Sequence, residues 1–236
     1  MRGVSTVLLA AALAGCGAGS PPPPTPADIA YLAVAEGVQA HHTAALELLD
    51  KGAPEEAAVH LAHPVAELSG PLQAALGDTF ADVAADLDAD LRAVPRAYTN
   101  GASRDEVAAG IGVVAGTLER AVRIVVGDAA FTPAARAATA AALLAEAHRL
   151  LEAAVAGGAV VQPAQYEDAW GYMERAAVLA QELDLDADFE ALRSALPSVL
   201  PGASADVDAF TAGAAAACEA LARIAPELVR CDTAGP

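Results

Sequence analysis

Residues 26–64 read PADIAYLAVAEGVQAHHTAALELLDKGAPEEAAVHLAHP, and they decide the fold. Thr25-Pro26 opens a helix that runs to Asp50 and closes at Gly52. Proline suits the first turn of a helix, where its missing N–H would have no partner, and glycine suits the position just past the end. Pro54 opens a second helix, with Glu55 and Glu56 in the first turn, where the helix dipole favours acids. His63 precedes Pro64, which is expected to break or kink that helix. Three residues, Lys51–Ala53, join the two helices, so they are expected to lie antiparallel and side by side.

The same punctuation continues along the chain. A third helical segment is expected from about Asp78 to Val94, just before Pro95. Ser103 with Glu106 forms a capping box for a fourth, which ends near Gly127. Thr132-Pro133 starts a fifth, closed by Gly157-Gly158, and Pro163 a sixth, through Leu183. A shorter one covers Asp188 to Leu196, and Ser204 with Asp206 and Asp208 starts the last, up to Pro226. No strand-period segment competes; Ala159 to Gln162 comes nearest and is too short. Ala makes about a quarter of the chain and is the best helix former, while aromatic residues are only 4%. The expected fold is all-α: an antiparallel bundle of seven to eight helices in one domain, residues 27–236.

The 236 residues carry 31 acids against 13 Lys and Arg, a formal net charge of −18. Such a chain offers no basic footprint for phosphates, which excludes nucleic acid as an expected partner. Asp78, Asp82, Asp86 and Asp90 recur every four residues and form one acidic stripe, expected to be solvated. Asp86-x-Asp88-x-Asp90 and Asp184-x-Asp186-x-Asp188 begin like calcium loops. Both lack the Gly that the sixth position requires, carrying Leu91 and Phe189, and the Glu of the twelfth, carrying Ala97 and Ala195. Gly112-x-x-x-Gly116 is expected to let two helices pack closely. No zinc-protease, serine-hydrolase or phosphate-binding motif is present, so no enzymatic activity is expected.

The N-terminus has the character of an address. Arg2 is a short positive region, and Val4 to Leu13 an apolar run too short to span a bilayer. Leu13-Ala14-Gly15-Cys16 then resembles the lipobox of bacterial lipoproteins. The resemblance implies a signal peptide over residues 1–15 and a diacylglycerol thioether on Cys16, which becomes the mature N-terminus. The protein would be anchored in the membrane rather than spanning it, in the bacterial cell envelope. Gly17 stands where an Asp would hold some lipoproteins at the inner membrane, which slightly favours the outer one. Residues 16–26, with Pro21-Pro22-Pro23-Pro24-Thr25-Pro26, form a semi-rigid stalk of about 20–30 Å. An exported compartment permits a disulfide between Cys218 and Cys231, which would tie the C-terminal tail to the last helix.

Four of the five histidines lie within 23 residues: His41, His42, His60 and His63. They fall at similar heights on the first helical hairpin. His60, His63 and Glu67 follow the i, i+3, i+7 spacing of one helix face. Imidazole and carboxylate on facing helices are how bundles build metal sites. The candidate ligands are His41, His60, His63 and Glu67, with His42 and Asp168 in reserve, and the set suits Fe, Zn or Cu. The competing reading packs these histidines structurally, in an interaction or scaffold protein. His148, near Glu146 and Arg149, is expected at a surface or edge. Tyr166 and Trp170 share a helix face and are expected in the core.

His41, Leu46-Glu47-Leu48 and His60-x-x-His63-Pro64-x-x-Glu67-Leu68 resemble a group of secreted bacterial helical proteins carrying an H-x-x-H-P-x-x-E element. Gln165-Tyr166-Glu167-Asp168-Ala169-Trp170-Gly171-Tyr172 resembles a second element of that group. More distantly, such modules resemble the extracytoplasmic parts of bacterial iron permeases and imelysin-like proteins. The resemblance implies an exported helical domain with a tie to metal uptake, iron first, and a protein partner in that process.

Overall fold

The computed structural model describes residues 21–202 and 205–231. Residues 1–20, with the expected signal peptide and Cys16, lie outside the described residues, as does Ser204. The chain is an all-α bundle. The helices are α1 (Pro26–Asp50), α2 (Pro54–His63), α3 (Ser69–Leu76), α4 (Ala81–Thr99), α5 (Arg104–Val125), α6 (Pro133–Ala154), α7 (Pro163–Gln181), α8 (Glu190–Ala195) and α9 (Val207–Ile224). Among the described residues the only strands are Val155–Ala156 and Ala159–Val160, a two-residue hairpin turning at Gly157-Gly158. No described helix is long and apolar enough to cross a membrane.

The helix ends follow their residues. Thr25 caps α1 and Ser103 caps α5 through reciprocal bonds with Asp28 and Glu106, each a capping box. Thr132 caps α6, and Asp206 caps α9 by accepting from the Ala209 N–H. Gly52 adopts φ +75° just past α1, a left-handed turn that favours glycine.

Two prolines behave differently from the expectation. Pro64 does not end its helix. The chain passes from α2 through a π-helical stretch, Pro64–Leu68, straight into α3. The proline ring lacks an N–H and crowds the preceding turn, and the wider π turn relieves that crowding without breaking the rod. Counted as one rod, Pro54–Leu76 brings the described helices to eight. Pro95 lies inside α4, which runs on to Thr99. Beyond it, the Tyr98 hydroxyl donates to the Pro54 carbonyl at 2.8 Å, so packing past the proline offsets the lost backbone bond.

Two apolar cores meet along α1. Leu61, Leu72, Leu87, Leu91, Val114 and Leu118 belong to the core built by α2 to α5. Leu143, Leu151, Met173, Phe189, Leu192 and Phe210 belong to the core built by α6 to α9. Helix α1 contributes Leu32, Val38 and Ala45 to the first and Ala40, Ala44 and Leu48 to the second. Tyr166, Trp170 and Tyr172 are all buried in the second core. Cys218 and Cys231 form a disulfide that fastens the tail to α9.

The close helix contact is not at Gly112 and Gly116. Both are exposed, and a Cβ on either would meet nothing. It lies between α1 and α7. A Cβ on Gly171 would stand 2.5 Å from the Ala40 carbonyl oxygen, and one on Gly37 would stand 2.7 Å from the Tyr172 hydroxyl. On the acidic stripe, Asp86 pairs with Arg120 and Asp90 accepts from Thr117, so part of it docks α4 onto α5.

Candidate metal centre

The glycine crossing brings α1 and α7 together where each carries chemistry. His41 follows Ala40, and Asp168 lies one turn before Gly171. Helix α2 packs beside them and adds His60 and His63. The Nδ1 atoms of all three histidines face a single oxygen, Asp168 Oδ1, at 2.8 Å (His41), 2.9 Å (His60) and 3.6 Å (His63). The four atoms lie within 4.8 Å of one another, a group that could hold a metal ion.

Direction matters more than distance here. These four atoms are buried, yet none has a hydrogen-bond partner of acceptable geometry. A buried polar atom without a partner costs about 1–3 kcal/mol, so four in one place are expensive unless something fills the space between them. Three imidazole nitrogens and a carboxylate oxygen suit a transition-metal cation.

The surroundings hold the set in place. The His60 Nε2 lies 2.8 Å from Glu167 Oε2, with His60 fully buried and Glu167 almost so. If Nε2 carries the proton, it donates to Glu167 and leaves Nδ1 with its lone pair turned inward. The His41 ring packs edge-on against Tyr172 at 5.6 Å and against His63 at 5.1 Å. His63 is the one partly open corner, its side chain 21% exposed.

The electrostatics of the cluster follow from the same contacts. Burial opposes charge on His60, but the Asp168 and Glu167 carboxylates overcome it and bring its pKa up to about 9. Burial likewise opposes charge on Asp168, and the contacts with His41, His60 and His63 outweigh it, holding the carboxyl well below its usual range. Without a metal, a proton on His60 neutralises part of the two carboxylates.

His41, His60 and His63 thus meet, together with Asp168. Glu67 sits in the π-helical stretch, exposed, and is not one of the four converging groups. The i, i+3, i+7 spacing assumes a regular helix through Pro64, and the wider turn changes the phase beyond it. His42 is buried elsewhere on α1, with neither ring nitrogen partnered. Burial first, and His41 second, push its pKa down to about 4. His148 is half-buried at the α6–α9 contact, stacked on Phe210 and 2.8 Å from the Thr211 hydroxyl.

Spacing in the sequence does not single out Glu167. Its signal lies in α7, where Tyr166 to Met173 are buried without interruption. A helix enclosed all round cannot leave two adjacent acids in solvent, so both need buried partners. No protein-family model, curated protein or solved structure matches this chain.

Proposed function

We propose that this protein is an extracytoplasmic lipoprotein, anchored through lipid on Cys16, whose bundle binds a transition metal without catalysing a reaction. The observation that carries the metal reading is the convergence of three unpartnered Nδ1 atoms on Asp168 Oδ1. His41, His60, His63 and Asp168 would be the ligands, and Glu167 would orient His60, as carboxylates behind metal-bound histidines commonly do. Three neutral imidazoles with two carboxylates balance a divalent cation, and Fe, Zn and Cu are the candidates. The lipobox and the resemblance to secreted helical proteins support a place in the cell envelope and a role in handling iron alongside a protein partner.

The test is thermal unfolding of the full chain in EDTA and then with each metal ion. A ligand that binds only the folded state adds about 2.7 kcal/mol of stability at 100 times its dissociation constant. A rise for one or more metals, lost when His60 and His63 are both replaced by Ala, supports the reading. No rise with any metal would sink it.

One observation favours a second reading, a non-catalytic scaffold lipoprotein. The same contacts are also His–carboxylate ion pairs, with His60 lying between Glu167 and Asp168. In that case the pairs alone would hold α1, α2 and α7 together, and metal would leave stability unchanged.

A further inference from the structure

Helix α5 and the α6–α7 pair both pack on α1. A cleft of about 390 Å³ lies between them. Its apolar lining includes Leu32 on α1, Leu118 and Val122 on α5, Phe131 before α6, and Leu179 on α7. Sites for small molecules favour such seams and volumes.

The polar groups in the cleft are unevenly used. Glu36 is paired with Arg175 across α1 and α7, and Glu182 with Arg136 at 2.6 Å. Glu119 is paired with Arg123, whose guanidinium also stacks on Phe131. Every acid in the lining therefore has a paired cation, with Arg123 reaching Glu119 from outside the lining. What remains is donor capacity. Arg175 uses its Nε on Glu36, and Arg136 uses its Nε on Glu182 and Nη1 on the Phe131 carbonyl. The other guanidinium N–H groups make no hydrogen bond among the described residues. The Thr139 hydroxyl, 2% exposed at residue level, has no partner either. A guanidinium carries five donors in a fixed fork that matches a carboxylate. These two arginines are also scarce cations in a chain with 31 acids.

We infer that this cleft is a binding site for a small amphipathic monocarboxylate, its head on Arg136, Arg175 and Thr139 and its apolar body along Leu118, Val122 and Leu179. A multiply charged anion fits poorly, because Glu36, Glu119 and Glu182 stand in the same lining. The site is separate from the histidine cluster and does not depend on the metal reading.

The test is calorimetric titration of the full chain with three octyl probes: octanoate, octanamide and octyltrimethylammonium. Octanoate is expected to bind, octanamide at least about tenfold more weakly, and the cation not at all. Arg136→Gln and Arg175→Gln should each weaken octanoate by about tenfold or more. Ala115→Trp, which fills the cleft from α5 and leaves the ion pairs alone, should abolish octanoate binding while circular dichroism stays unchanged. The inference is overturned if octanoate does not bind, if octanamide or the cation binds as well, or if octanoate binds the Ala115→Trp variant unchanged.

Discussion

The Nε2 of His60 lies 2.8 Å from Glu167 Oε2, with both side chains almost wholly buried. Glu167→Gln keeps the shape and removes the charge. Metal affinity should fall by about 10- to 100-fold, the usual loss when a carboxylate behind a histidine ligand is removed. Titration with Zn²⁺ checks it, and an unchanged affinity would make Glu167 a packing residue only.

Asp168 and Glu67 should separate cleanly. Asp168→Ala removes the oxygen that three imidazoles share and should abolish binding. Glu67→Ala, at an exposed position outside the converging group, should leave affinity within about twofold. The reverse order would mean that the π-helical stretch rearranges to bring Glu67 inward when metal binds.

Without metal, stability should pass through a maximum with pH. The folded-state pKa of His60 is raised from 6.5 to about 9. Its contribution is fully present below pH 6.5 and fades as pH rises toward 9. That of His42 is lowered to about 4, so the unfolded chain takes up a proton first as pH falls from 6.5 toward 4, and stability drops there. Urea unfolding in EDTA across pH 4–9 should show both limbs. His42→Gln should flatten the acid limb and spare the alkaline one.

Gly171→Ala should cost about 1–3 kcal/mol, because its Cβ would meet the Ala40 carbonyl at 2.5 Å and force α1 from α7. The displacement would also spread His41 from Asp168, so metal affinity should fall with stability. Gly116→Ala, with nothing near its Cβ, should be neutral or slightly stabilising.

Reduction of Cys218–Cys231 should lower stability by about 3 kcal/mol, the loop-closure effect for a separation of 13 residues. The histidine cluster is built on α1, α2 and α7, so metal affinity of the still-folded protein should be unchanged.

The helices were legible because Thr25, Pro54, Ser103, Thr132 and Pro163 mark starts whose chemistry is local. Pro64 and Pro95 misled because tertiary packing decides whether a proline ends a helix, and packing partners are not written nearby. Three of the four converging groups are legible for a similar reason: His41, His60 and His63 lie on one hairpin with a short turn. The carboxylate comes from α7, more than a hundred residues on; spacing within one helix favours Glu67 and leaves Asp168 in reserve. Only the burial of Tyr166 to Met173 on every side shows why Glu167 and Asp168 must find buried partners.

Helix α1 has a consequence for how the molecule comes apart. It supplies side chains to both cores, so neither half keeps a closed interior once it leaves. Melting should be a single cooperative event, and slow hydrogen exchange should extend through α1 from Leu32 to Leu48 as one protected unit. A cut at the Lys51–Ala53 turn would then yield two fragments that fold only in each other's presence.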